Sequence, residues 1–300
     1  MPVQYDVTHT TVYRYKKPVS FGEHRVMFRP RDSHDLRVLA TDLQVSPESI
    51  IRMIQDPHSN SVALVQPLSS ALELRIVCSF TIEHAHSYNL ELPVSKEGEF
   101  FPFAYTPDER FDLEMYLRPH HDDPKGELMA WARQFIRTDG PSRTRDVLVA
   151  MNEHIRNHTV YCGREEEGTQ SPLETLKKGS GTCRDFALLM IEAARRLGVA
   201  TRFVSGYLYD PALDTAPSAG ASSTQGAGST HAWLQAYLPG AGWVPFDPTN
   251  NFLGGNQLIR VGVARDPSLA APVSGSWYGA PDAYAGMDAA VTVHRVSVRP

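Results

Sequence analysis

The stretch GTCRDFALLMIEAARRLGV, residues 181 to 199, decides how the rest of the chain is read. It reads as a helix from about Cys183 to Leu197, stopped by Gly198 in the usual C-terminal position. A cysteine at the start of a helix has an ordinary explanation as a small core hydrophobe. It also has a chemical one. The unpaired N–H groups and the dipole of a helix N-terminus stabilise negative charge, and the thiolate is the nucleophilic form of cysteine. Gly181 removes side-chain bulk in front of the sulfur, so a substrate carbonyl can approach, and the Cys183 N–H points toward a developing oxyanion.

A nucleophilic thiol needs a base, and the strand patterns that follow supply one. ATRFVSGYLY (200 to 209), THAWLQAYL (230 to 238), GWVPFDPT (242 to 249) and NQLIRVGVAR (256 to 265) all read as strands. His231 opens the second of these, and Asp247 ends the third, just before Pro248. Consecutive strands normally pair as an antiparallel hairpin, and LPGAGW is the turn. Both residues lie roughly eight positions from its centre, which brings them side by side. The carboxylate then fixes the imidazole tautomer while the other ring nitrogen faces the sulfur, a Cys-His-Asp triad. Each residue alone has a plainer reading, as a hydrogen-bonded strand histidine or a turn-forming aspartate. Three placements that agree on one geometry favour the chemical one.

Roughly the first 110 residues alternate with the period of half-buried strands, at 3 to 15, 36 to 45, 61 to 68 and 73 to 86, and read as an antiparallel β-sandwich. Cys78, beside Val77 and Phe80, belongs to its core. The period then becomes helical in ELMAWARQFIR and TRDVLVAMNEHIRNH, after a linker, MYLRPHHDDPKG (115 to 126). His120, His121, Asp122 and Asp123 in that linker read as a solvated loop, since neighbours on extended chain point apart and no second cluster completes a metal site. An Ala, Gly and Ser-rich flexible loop at 210 to 229 enters just before His231, and AAVTVHRVSV near the end is one more strand. The division expected is residues 1–115 as β-sandwich and 116–300 as catalytic core.

Bulk properties narrow the function classes. The 300 residues carry 29 basic and 34 acidic side chains, a net charge of -5, which offers no basic stripe for nucleic acid and no polybasic patch for a membrane. The opening MPVQYDVTHTTVYRY lacks a leader pattern, and no run approaches the ~20 apolar residues of a membrane span, so a cytoplasmic location is expected. Cys78, Cys162 and Cys183 form no CxxC pair, which suggests neither a disulfide framework nor a cysteine zinc site.

The blocks GSGTCRDFALLMIEAARRLGVATRFVSGYLY and STHAWLQAYLPGAGWVPFDPTN, with the strand-rich front, resemble bacterial transglutaminase-like proteins of the transglutaminase and papain-like cysteine-protease superfamily. The family motifs GxCxDxA, HAW and DPT fall on Cys183, His231 and Asp247. The resemblance implies an α+β fold in which the cysteine helix packs on an antiparallel sheet bearing the histidine and aspartate. It also implies acyl transfer from an amide of a protein or peptide substrate through a thioester, without a cofactor. Water as acceptor makes a protease or amidase, and an amine makes a true transglutaminase. A non-catalytic binding module on the same fold is the alternative an intact triad disfavours. Arg184 stands where glutamine is frequent in the family, and no glutamine immediately precedes the cysteine. By position Tyr161 is the candidate second oxyanion donor. Gly181 and Trp233 are candidates for the substrate cleft and Trp243 for a further wall, although large aromatics on adjoining strands mostly serve packing. Asp185 suits the helix dipole and has Arg202 or Arg184 as prospective partners, and Cys162 reads as a structural thiol.

Overall fold

Alternation of apolar and polar residues drives the first third of the chain into antiparallel strands. They are β1 (Val3–Phe21), β2 (His24–Val26), β3 (Leu36–Ser46), β4 (Ser49–Gln55), β5 (Ser61–Pro67) and β6 (Ala71–His84). In β6 the even positions Leu74, Ile76, Cys78, Phe80 and Ile82 are buried. Cys78 is therefore core, and burial pushes its thiol up to about 12, which makes it inert.

The computed structural model describes residues 2–85, 93–163, 168–215, 224–255 and 257–296. After the first six strands come β7 (Phe100–Phe101), α1 (Pro107–Asp112), α2 (Glu114–Leu117), α3 (Glu127–Arg133), β8 (Ser142–Arg143) and α4 (Thr144–His158). They are followed by β9 (Val160–Tyr161), α5 (Pro172–Lys178), β10 (Ser180–Gly181), α6 (Cys183–Arg196), β11 (Thr201–Leu208) and α7 (Ala212–Thr215). The chain continues through β12 (Thr230–Leu238), β13 (Gly242–Asp247), β14 (Phe252–Leu253), β15 (Leu258–Ala264), β16 (Val273–Ser274), β17 (Trp277–Tyr278) and β18 (Tyr284–Val296). Among the described residues no helix is long and apolar enough to cross a membrane.

Two sheets, β17-β1-β6-β3 with β18 also on β1, and β16-β2-β5-β4, face each other across a core that includes Tyr5, Val7, Val62, Val65, Leu74 and Ile76. This is the sandwich. A third sheet, β14-β13-β12-β11-β15, carries α6 on one face, where Phe203, Ala232, Leu234, Ala236 and Phe246 meet the helix. Farther along that face Tyr207, Tyr209, Ile259 and Val261 join the sandwich core, so the two halves share buried apolar surface. Polar stitches reinforce the join. His9 Nδ1 bonds the Tyr207 hydroxyl at 2.9 Å, and the Asn60 carboxamide pairs with both Val263 N (2.9 Å) and Val263 O (2.7 Å), as a neighbouring strand does.

A division at residue 115 misplaces the C-terminal segment. β18 pairs with β1 from Gln4↔Val296 to Tyr15↔Tyr284, and β16 and β17 add to β2 and β1, so the chain end belongs with the first domain. An alternating strand satisfies its pleat on whichever edge is free, and local pattern does not reveal that edge. The 115–126 linker also departs from a simple solvated loop. Glu192 of α6, fully buried, accepts from His120 N (3.1 Å) and His121 N (3.1 Å), from Arg195 Nη1 (3.0 Å) and from Arg196 Nη1 (2.9 Å). Burial alone raises that carboxyl, but the Arg196 and His120 hydrogen bonds and the Arg195 charge outweigh it and hold Glu192 below the usual carboxylate range.

Glu192→Ala leaves Arg195 buried without its counter-charge, and removing one partner of a buried pair costs about 3–5 kcal/mol. Urea unfolding at neutral pH is expected to show that loss, and a change below about 1 kcal/mol, the size of an exposed pair, contradicts this account.

Candidate active site

α6 begins where the sequence places it, and its start is locked from below. Thr182, in extended conformation, caps the helix, and Asp185 returns the bond in a capping box: Oδ2 accepts from Thr182 N (2.8 Å) and Thr182 Oγ1 (2.9 Å). Asp185 Oδ1 accepts from Gln170 N (2.7 Å), and Gln170 Nε2 donates to Ser180 O (2.9 Å). This buried carboxylate therefore ties the segment before the cysteine to the helix that carries it. Arg202 is not its partner: that guanidinium donates to Gln235 Oε1 (2.9 Å) and lies 4.1 Å from the centre of the Trp243 ring. Trp243 thus packs a cation on the sheet instead of walling a cleft.

The space beside Gly181 is already filled. A Cβ there would meet Asp185 Cβ and Gln170 Nε2 at 2.9 Å each, so glycine is needed for the Asp185–Gln170 clamp and not to admit substrate. Trp233 also differs from its expected role as a cleft residue. It is 1% exposed, packs in a cluster with Val204, Leu208, Leu258 and Val263, and leans on the Gly206 backbone, where a Cβ would come within 2.8 Å of its ring. Its ring lies nearly parallel to that of His231, centroids 5.9 Å apart, and backs the imidazole.

β12 and β13 form the expected hairpin, with Leu234 opposite Phe246 and Leu238 opposite Gly242. Continuing that register puts Asp247 across from Trp233, two positions away from His231, and the side chains close the diagonal. His231 Nε2 donates to Asp247 Oδ2 at 2.8 Å, with both side chains fully buried. Asp247 Oδ1 also accepts from Thr249 N (2.9 Å), and Oδ2 from Asn250 Nδ2 (3.0 Å). The turn that makes these bonds is held by Asn152 of α4, whose Nδ2 donates to Asn251 Oδ1 (2.8 Å).

The electrostatics follow from this enclosure. Burial by itself lowers the imidazole, but the Asp247 charge and hydrogen bond, with a contribution from the neighbouring Cys183, overcome it and push His231 up to about 10. Burial raises the Asp247 carboxyl, and the His231 charge and the Asn250 and Thr249 donors more than reverse that and lower it. His231 Nδ1, on the side of the ring away from Asp247, is buried and makes no conventional hydrogen bond. The Cys183 thiol, 6% exposed at the head of α6, is near enough to the ring to stabilise its charged form.

Tyr161 is also brought close. β9 runs parallel to β10 with Tyr161 opposite Gly181, and burial, then Cys183, push its phenol up to about 12, which keeps it an O–H donor at neutral pH. Cys162 is exposed, with its N–H on Gly181 O (3.0 Å). Of the 210–229 loop, residues 216–223 lie outside the described residues. Gln170 and Asn250 are hydrogen-bonding neighbours of the site that sequence reading missed: Asn250 directly follows the DPT motif, a usable signal, whereas nothing local marks Gln170. Among the described residues no group of three His, Cys, Asp or Glu side chains is arranged to hold a metal ion.

Residues 129–248 match the family model of the transglutaminase-like superfamily, and residues 5–94 match that of the bacterial transglutaminase-like N-terminal region. An uncharacterized protein of Mycobacterium leprae is 27% identical over 273 residues, spanning 91% of this chain and 92% of its own length. An uncharacterized protein of Mycobacterium tuberculosis is 28% identical over 299 residues, spanning 92% and 88%. The crystal structure of a Cytophaga hutchinsonii protein provisionally named a cysteine protease superposes with a TM-score of 0.71 at 18% identity, over 100% of this chain and 92% of that one, a likeness of fold.

Two outcomes check this geometry. The raised His231 contributes stability that is complete below 6.5 and is lost as pH rises through about 10; the lowered Asp247 contributes stability present above 3.8 and lost as pH falls through its depressed value. The stability lost in Asp247→Asn should therefore be largest between 3.8 and 6.5, at about 3 kcal/mol, and shrink toward pH 10; a difference flat with pH contradicts the ion pair. Gly181→Ala should destabilise by about 1–3 kcal/mol in chemical unfolding, the cost of overpacking, and a neutral result contradicts the filled space.

Proposed function

The chain belongs to the transglutaminase-like superfamily, and on that premise we propose that it is an enzyme of cysteine-dependent acyl transfer acting on amide bonds of peptides or proteins. The supporting observation is the buried His231–Asp247 bond of 2.8 Å beside a cysteine that opens a helix. Cys183 Sγ attacks the amide carbonyl carbon with its proton already on His231 Nδ1, in keeping with the charged ring. The Cys183 N–H, at the positive end of α6, faces the oxyanion, and the Tyr161 hydroxyl is the second donor. His231 then gives its proton to the departing amine, the C–N bond breaks, and a thioester remains. Asp247 stays ionised throughout and holds the ring in the tautomer that directs Nδ1 at sulfur.

In the second half water adds to the thioester carbonyl, His231 receives its proton, and the C–S bond breaks to release the carboxylic acid and restore the sulfur beside the protonated ring. We assign water as the acceptor, since it is present at every turnover, and this makes the enzyme a peptidase or amidase. A primary amine entering the same step yields a cross-linked or amine-conjugated product instead.

Incubation with a peptide library and a labelled primary amine, followed by mass spectrometry, distinguishes cleaved or deamidated products from amine conjugates. Hydrolysis products are expected, and amine conjugates in their place overturn the choice of acceptor. Cys183→Ala should reduce turnover by at least about 1,000-fold, as loss of a covalent nucleophile does, while unfolding free energy changes by about 1 kcal/mol or less. Activity retained in that variant removes Cys183 from the mechanism.

A further inference from the structure

The backbone just upstream of β12 lies directly on the imidazole. At Gly226, where φ is +90°, a Cβ would fall 2.6 Å from His231 Nδ1 and 3.4 Å from Cε1, so this approach is open to glycine alone. Nδ1 is the nitrogen that the proposed reaction turns toward sulfur. His231 is accordingly 1% exposed and Cys183 6%, far too little for a peptide amide to be attacked in this arrangement.

The covering segment is fastened at both ends. Gln225 N donates to Asn250 Oδ1 (2.9 Å), and Asn250 Nδ2 donates to Gln225 O (3.1 Å), so the carboxamide pairs with the backbone like a rung of a β-ladder. At the other end Val291 N, from β18 of the first domain, donates to Gly228 O (3.2 Å). The same Asn250 Nδ2 also bonds Asp247 Oδ2 at 3.0 Å. A single side chain therefore touches both the acid of the triad and the backbone that covers its base.

We propose that Asn250 is a positioning residue that latches the backbone of residues 225–228 over the His231 ring, so that an acyl donor reaches Cys183 only when this latch opens, while Asp247 remains held by the same carboxamide. The inference rests on the acyl-transfer reading for the role of Cys183. Its physical content is independent: two hydrogen bonds to one side chain close the segment, and each contributes only modestly in water, so opening is accessible during turnover. The first domain thereby acquires a part in access to the site, because Val291 is the fixed end against which the segment closes.

The test compares alkylation of Cys183 by iodoacetamide and by a bulky maleimide-polyethylene glycol, read by peptide mass spectrometry, with the exposed Cys162 as internal standard. In the wild type the bulky reagent is expected to be disfavoured at Cys183 relative to Cys162. Gln225→Pro removes the N–H that donates to Asn250 and leaves Asp247 untouched, while Asn250→Ala removes both latch bonds. In each folded variant the ratio of bulky to small reagent at Cys183 should rise about tenfold, on the scale of one or two lost net hydrogen bonds. An unchanged ratio in both variants, or a Cys183 that stays unlabelled by either reagent after the latch is removed, overturns the proposal. Failure of the acyl-transfer reading has a separate signature, iodoacetamide labelling of Cys183 that is indifferent to His231→Ala.

Discussion

A buried imidazolium beside a buried carboxylate is the constraint around which this molecule is organised. Taking both His231 and Asp247 out of water costs more than their attraction returns unless the remaining lone pairs are satisfied. Thr249 N and Asn250 Nδ2 satisfy those of Asp247, and Trp233 backs the ring. An apolar pair would stabilise the same site more cheaply. The retained charges fit the proposed use of the sulfur at the head of α6.

The helix that delivers the sulfur is anchored by ionic and polar contacts at both ends and by apolar packing between. Asp185 fixes the first turn to Gln170 and Thr182, and Glu192 with Arg195 and Arg196 fixes the last turns to the 115–126 segment. Between them Phe186, Leu189, Met190 and Ala193 are buried in the second core, each large side chain worth roughly 1.5–3 kcal/mol on burial. In the proposed reaction a thiol carried on so constrained a helix meets the imidazole with little further ordering entropy lost. The sandwich contributes through the shared core at Tyr207 and Ile259 and through β18, which closes on the segment over the site.

Much of this was legible in the chain. Period-two alternation marked the long strands, THAWLQAYL runs from Thr230 to Leu238 as read, and α4 spans Thr144–His158 as its helical spacing predicts. The hairpin centred near Gly240 put His231 and Asp247 within reach even though the true register is diagonal. What stayed hidden depends on parity and on distant partners. Trp233 shares its face with His231 and turns away from Ala232 and Leu234, which meet α6, so of its two readings, cleft wall or packing, the parity of the strand gives packing. Gly181 reads as an opening for substrate because the Asp185–Gln170 contact that fills the space joins residues 15 apart, with Gln170 outside the motif. Glu192 reads as an ordinary helical acid until the linker's N–H groups arrive on it.

The central claim is that the His231 imidazole is held charged by Asp247 and that Cys183 shares in this. Its most direct measurement is a nitrogen NMR titration of histidine-labelled protein, comparing the wild type with Cys183→Ala. The account predicts a His231 resonance that remains imidazolium well above 6.5 and gives up its proton near pH 10, at a lower pH when the sulfur is removed. A ring that titrates at 6.5 or below, unchanged by the loss of the thiol, contradicts it.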